Sequence, residues 1–248
     1  MTTTNAQLDA LAVFSHPDDA ELTAAGTLLK LKSLGYRTGV LDTTRGEMGT
    51  RGTPEARAEE AREAGRVMNL DVRLNLELPD GHVHVTEDAR RLMVRVIRTH
   101  RPKVIFTQHW DDPHPDHAAT SRIVREAARL ASMRRYDLEA GQEHVSMPAI
   151  AYAVFSRLVV PSFVVDISDF LEGKMDAIRA HTSQFYQEGA SEPATRISEK
   201  NFLDQIEARA RYVGSLIGVA AGEAWYVREA LNVHDPIELL TRPMNIYS

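Results

Sequence analysis

The chain has 248 residues, 43% of them apolar and 26% charged, with a formal net charge of −6. That balance describes an ordinary globular chain able to bury a sizeable core, and its acidity excludes the basic face that a nucleic-acid binder presents. No long uncharged apolar run is present, so no membrane span is expected, and the lack of any cysteine removes disulfides, thiolate metal sites and cysteine nucleophiles together. Any metal must therefore be held by histidines and carboxylates. The threonine-rich start, residues 1–7, has no basic region followed by an apolar core, so no secretory signal is expected and the expected address is cytoplasmic.

From the start, strand and helix alternate. Residues 8–14 form a mostly apolar run that reads as a short buried strand. It ends in the polar stretch Phe14-Ser15-His16-Pro17-Asp18-Asp19-Ala20-Glu21. A helix is expected over 20–34, where Leu22, Leu28, Leu29 and Leu31 keep helical spacing, and Gly35 suits its C′ position. Residues 37–43 read as a second strand, followed by a loop over 44–53 that carries Arg45, Arg51 and three glycines. Thr53 and Pro54 open the next helix as N-cap and N1, and it runs to about 68. A strand over 71–78, the turn Leu78-Pro79-Asp80-Gly81, a helix over 87–99 and a strand over 103–107 follow. That last strand runs into a second polar cluster, Gln108-His109-Trp110-Asp111-Asp112-Pro113-His114-Pro115-Asp116-His117, ahead of a helix over 118–132. Repeated units of this kind predict a Rossmann-like α/β fold, a mostly parallel sheet with helices on both faces. Beyond it the spacing predicts strands over 149–155 and 163–167, a helix over 168–186, a loop over 187–193 that reads as a mobile flap, a helix over 201–216 and a last strand over 224–227. No repeat or linker divides the chain, so one domain over 1–248 is expected.

Both polar clusters sit at the carboxyl end of a strand where a helix begins, the edge on which open α/β sheets build their sites. If the two strands are parallel neighbours, the clusters meet. His16, Asp19 and His117 then supply the three protein ligands of a catalytic zinc, which leaves a further position for water. Asp18 stands free to take a proton, while His114 and Asp116 form a hydrogen-bonded pair in which the carboxylate orients the ring. The blander alternative is that Asp18 and Asp19 cap the helix. His82 and His84 lack a carboxylate partner and read as solvated or substrate-lining. The first loop has no Gly-x-Gly-x-x-Gly, which discounts a dinucleotide site.

The paired clusters resemble the signature of the LmbE-like (PIG-L) N-acetylglucosamine deacetylases. Residues 41–54, 75–81, 161–168 and 222–226 resemble in particular the branch that deacetylates N-acetylglucosaminyl-malate in bacillithiol biosynthesis. The resemblance implies a metal-dependent N-deacetylase with His16, Asp19 and His117 as zinc ligands, Asp18 as general base, protonated His114 steadying the oxyanion beside Asp116, and Arg51 in a substrate-contacting loop. Arg45 and Arg51 offer guanidinium forks for a substrate carboxylate. The substrate is expected to be a small amino-sugar conjugate, and a homo-oligomer, a hexamer as in relatives, is implied. A site of two imidazoles and one carboxylate also accepts iron(II). Many members of this branch carry an arginine directly before His-Pro-Asp-His, where this chain has Pro113. The alternatives are a deacetylase of another N-acetylglucosamine conjugate and a non-catalytic sugar- or metal-binding module.

Overall fold

The structure, a computed structural model, describes residues 7–156, 159–189 and 192–241. Residues 1–6 of the threonine-rich start and residues 190–191 of the loop read as a flap lie outside them. The described strands form one sheet: β1 (Ala10–Phe14), β2 (Thr38–Thr44), β3 (Val72–Leu78), β4 (Val104–Thr107), β5 (Ala149–Ala153), β6 (Phe163–Asp166) and β7 (Gly222–Tyr226). They stand in the order β3-β2-β1-β4-β5-β7-β6. The first five are parallel, and β7 runs antiparallel to β5 and β6.

Side chains alternate between the two faces of the sheet, as the strand period requires. Leu11, Val13, Leu41 and Ile105 pack on α3 (Glu87–His100) and α4 (Pro115–Ala131) through Met93, Val94, Ile97 and Ile123. Ala10, Ala12, Phe14 and Val40 face the other way, onto Ala24, Ala25 and Leu28 of α1 (Asp19–Ser33) and Ala64 of α2 (Pro54–Val67). The small residues on this second face let α1 sit close. At Gly26 a Cβ would stand only 2.7 Å from Ile167 Cδ1 and 2.9 Å from Ile167 Cβ, so the helix has no room for a larger residue there.

The chain leaves β1 toward β2 and β3, then returns to place β4 and β5 on its other side, which makes the carboxyl ends of β1 and β4 the switch point of the sheet. Val13 pairs with Thr107, so the two polar clusters emerge side by side. Two expectations are corrected. α4 begins at Pro115, three residues before the predicted start, because Pro115 takes N1 and His114 the N-cap. The helix predicted over 168–186 is a 3₁₀ turn followed by α5 (Leu171–Arg179). Beyond its end buried Glu60 takes Ser183 N–H (2.6 Å), a donor a continuing helix would keep for itself, together with the hydroxyls of Thr182 (2.8 Å) and Ser183 (2.8 Å). After α6 (Phe202–Ser215) and β7, a short α7 (Pro236–Leu240) closes the described chain, and the sequence reading has no counterpart for it. No helix among the described residues is long and apolar enough to cross a membrane.

Candidate active site

The end of β1 turns sharply into α1. Asp18 takes up that turn with φ 129° and ψ −28°, backbone that an L residue rarely adopts. Such a conformation costs on the order of 1–3 kcal/mol and persists only where surrounding contacts impose it. Those contacts come from Arg57 of α2, buried beneath the loop. Its Nη2 donates to Pro17 O (2.7 Å) and to Asp18 Oδ2 (3.3 Å), and its Nη1 to Gly46 O (2.9 Å). Asp18 occupies the N-cap position of α1 without a side-chain capping bond. Asp19 is turned to the site as well: its Oδ2 accepts from His16 N–H (2.9 Å) and Gln108 Nε2 (3.0 Å). Neither carboxylate is spent on capping the helix.

His16, Asp19 and His117 converge. His16 Nδ1 lies 3.2 Å from Asp19 Oδ2, His117 Nε2 lies 3.2 Å from the same oxygen, and the two ring nitrogens are 3.3 Å apart. A tetrahedral ion with bonds of about 2.0–2.1 Å separates neighbouring ligand atoms by roughly 3.3–3.4 Å, so this near-equilateral triangle fits one face of its shell. The outward nitrogens of both rings meet carboxylates. His16 Nε2 is 3.0 Å from Asp80 Oδ1 and 3.4 Å from Asp116 Oδ2, and His117 Nδ1 is 3.1 Å from Asp112 Oδ1. Carboxylates at the far nitrogen are the usual support of a metal-ligating histidine. His16–His114–His117 and His16–Asp80–Asp116 also bring ligand atoms within 4.8 Å of one another. We prefer the first triangle because it is tighter, and because Asp80 and Asp116 meet the His16 nitrogen that faces away from it.

The expected side-chain pair of His114 and Asp116 does not form. Asp116 is filled by the N–H groups of Gly81 (2.7 Å) and Val83 (3.1 Å) and by the approach to His16. His114 Nδ1 instead accepts the backbone N–H of Asp116 at 3.2 Å, as an N-cap does. In the neutral ring that bond places the remaining proton on Nε2.

The charges follow from this packing. Burial disfavours an imidazolium at His16, but Asp116, Asp19 and Asp80 outweigh it and push its pKa up to about 12. Burial likewise opposes charge at His117, and Asp19 and Asp112 raise it to about 9. Asp19 is itself held well below the usual carboxylate range, against its burial, chiefly by His117 and then His16. Asp18 is pushed the other way: burial raises it to about 6, with Arg57 opposing. His114 is held below its ordinary value by partial enclosure and by the His117 and His16 rings, which stand 4.6 Å and 4.9 Å away centre to centre. That direction runs against the imidazolium the sequence reading assigned.

Arg51 and Arg45 part company. Arg51 is buried, its Nε donates to Ser183 O (2.8 Å), and Glu192 Oε2 lies 3.5 Å from that nitrogen. Among the described residues no hydrogen bond engages its two terminal nitrogens. Arg45 is exposed on the same loop. His82 and His84 are both exposed. Sequence reading missed Arg57, Asp80, Asp112 and Gln108. Asp80 and Asp112 had a signal, since each follows a strand end on the site's edge, whereas Arg57 sits in an Arg- and Glu-rich helix where nothing local marks it. It also missed the buried charges behind the loop, where Arg73 bridges Glu21 and Asp42, and fully buried His181 lies 3.3 Å from Glu21.

A doubly wound sheet with a histidine–carboxylate cluster at its switch point defines the class, an α/β protein with a ligand set for a catalytic metal. Residues 11–128 match the family model for PIG-L, GlcNAc-PI de-N-acetylase. The chain is 31% identical over 191 residues to the diacetylchitobiose deacetylase of Thermococcus kodakarensis, a match spanning 71% of this chain and 69% of that one. It is 29% identical over 192 residues to a probable N-acetyl-alpha-D-glucosaminyl L-malate deacetylase 2 of Bacillus cereus, over 70% of this chain and 82% of the relative. Among solved structures, the conserved protein TT1542 from Thermus thermophilus superposes with a TM-score of 0.82 at 37% identity, covering 92% of this chain and 98% of that one. The chain belongs to the PIG-L, or LmbE-like, deacetylase family, and it is an enzyme that hydrolyses amides.

Proposed function

We propose that this enzyme removes the acetyl group from an N-acetylglucosamine conjugate, with N-acetylglucosaminyl-malate of bacillithiol biosynthesis as the particular substrate. The observation that carries the reading is the triangle of His16, Asp19 and His117 with the buried Asp18 carboxylate beside it. In this reading the three residues hold zinc, or another divalent cation such as iron(II). A bound divalent ion supplies Lewis acidity and lowers the pKa of water to about 7. Asp18 accepts the proton of the attacking water, and Arg57 keeps its carboxylate aimed inward. As the acetyl carbon becomes tetrahedral, the Nε2–H of neutral His114 donates to the developing oxyanion, an interaction gained only on the way to the transition state. Asp18 then returns its proton to the amine nitrogen as the C–N bond breaks, releasing acetate and the free amino sugar. Asp116, Asp80 and Asp112 act through the imidazoles they orient.

Arg45 and the terminal nitrogens of Arg51 are the cations we assign to the substrate's anionic end. We also read the chain as one catalytic domain over residues 1–248, cytoplasmic, and self-associating as a hexamer. A second reading, a neutral conjugate such as diacetylchitobiose, is favoured by Pro113, which withholds an arginine, and by the commitment of Arg51 Nε to Ser183. Acetate release from N-acetylglucosaminyl-malate, diacetylchitobiose and free N-acetylglucosamine, each with and without a chelator, separates the two. The malate conjugate should be turned over best and the chelator should stop all three. A preference for the disaccharide selects the second reading, and release from none of them sinks both.

A further inference from the structure

Beyond α4 a cavity of about 1050 Å³ opens against the ends of β5 and β7. Five arginines line it: Arg90, Arg122, Arg125, Arg129 and Arg228. Its carboxylates are few. Glu126 already takes Arg90 and Arg122, each at 2.9 Å, and Asp116 is spent on Gly81 and Val83. Trp110, Leu130 and Met147 add apolar wall. A groove of this size, apolar and strongly cationic, suits an occupant that is apolar and acidic.

The end of the described chain has that chemistry, and it starts on the rim of the groove. Arg228 lies over the Trp110 ring, 4.8 Å from its centre, and Glu229 reaches Arg125 Nη2 at 2.7 Å. From Glu229 to Thr241 every residue is exposed. Leu231, Ile237 and Leu240 are each at least 60% exposed, a concentration of bare apolar surface that is unusual for a folded monomer and marks an interaction site. The segment 230–241 carries Asp235 and Glu238 and no lysine or arginine. In its own chain the arm leaves the groove uncovered, and it has no glycine to ease a reversal at its root.

We propose that residues 230–241 dock in the same groove of a second copy of this chain. Because each arm is rooted on the rim of its own groove, a two-fold axis passing that rim carries each arm into its partner's groove. The contact is then isologous and closed, each arm covering what the other copy leaves bare. The groove meets the acetamide site only at Gly81, Pro115 and Asp116, and the inference does not depend on the substrate reading.

The absence of native cysteine makes the test direct. Two variants, Ala119→Cys in the groove and Ile237→Cys on the arm, are prepared separately, mixed, and oxidised. A disulfide-linked heterodimer on a non-reducing gel is the expected result. In parallel, a chain ending at Ala230, which loses only exposed residues among those described, should fall to half the native mass or less by light scattering while keeping its far-ultraviolet circular dichroism. The proposal is overturned if the mixed variants do not cross-link or if the truncated chain keeps the native mass.

Discussion

Asp18 combines burial, a backbone conformation rare for its type and a carboxylate that caps nothing. Each is a cost that capping the helix would have avoided, and together they mark a residue held for chemistry. Replacing it by asparagine keeps size and shape but removes the proton acceptor. Asp18→Asn should retain metal and lose about 10²–10⁴-fold in turnover, the usual worth of a general base. Steady-state acetate release together with metal analysis checks this, and near-normal turnover at full occupancy would refute the role. Asp80 acts one step further out, through its 3.0 Å approach to His16 Nε2. Losing such support typically weakens a metal site about 10–100-fold. Asp80→Asn should therefore raise the metal dissociation constant by that factor, measured by competition with a chromogenic chelator, and excess metal should restore much of the activity. Loss of activity that metal does not restore would assign Asp80 to the substrate instead.

At the scale of elements, the site depends on how tightly α1 seats against the sheet, since that helix carries Asp19 and follows directly from His16 and Asp18. Its closeness is set at Gly26. Alanine there gains roughly 0.8–1.0 kcal/mol of helix propensity. The new methyl meets the Cβ and Cγ2 of fully buried Ile167, each 2.9 Å away, not merely the end of a flexible side chain. Overpacking of this kind costs about 1–3 kcal/mol, so it wins. Gly26→Ala should lower the unfolding free energy by about 1 kcal/mol in urea titration, and a more stable variant would mean that Ile167 yields freely. The start of α4 shows the same coupling of element and site. With proline at N1, His114 becomes the N-cap, and its ring is fixed by a backbone N–H rather than by a carboxylate.

On the scale of the whole molecule, three strand-end loops, after β1, β3 and β4, bring carboxylates and imidazoles from residues 16 to 117 into one cluster, and without an ion that cluster holds protons. His16, raised to about 12, and His117, raised to about 9, are both charged at neutral pH in the metal-free protein. An ion can bind only neutral imidazole, so uptake must expel both protons. Below about pH 9 the apparent metal affinity should rise roughly 100-fold per pH unit, slackening to about tenfold above it, where only His16 remains to be deprotonated. Calorimetric titrations in buffers of different ionisation enthalpy would count the protons released, and a release near zero at pH 7 would contradict this charge state. The sign for the metal-free fold runs the same way. Both groups have folded values above their unfolded ones, so their stabilisation is complete below about pH 6.5 and fades as pH climbs through 9 toward 12. Chelator-treated protein should thus lose thermal stability across that alkaline window.

Much of this was written locally in the chain. The alternation of apolar runs with helical spacing is a short-range property, and it determined the α/β class, the parallel strands and the helix opened by Thr53 and Pro54, where Thr53 Oγ1 does accept from Ala56 N–H. The His-Pro-Asp-Asp and His-Pro-Asp-His stretches likewise placed their chemistry at two strand ends, because a strand followed by a helix always delivers its last residues to the same edge. Which atoms meet across that edge was not legible. The 3.2–3.3 Å triangle needs the β1–β4 register, the carboxylates behind it come from loops far apart in sequence, and Arg57 finds Asp18 only once α2 has packed. His114 and Asp116 look like partners in sequence, yet the folded chain parts them: the N–H groups of Gly81 and Val83 fill the carboxylate, while His114 Nδ1 takes the backbone N–H of Asp116. Period and motif are local and survive in the sequence; competition for a hydrogen-bonding group is decided only when every competitor is in place.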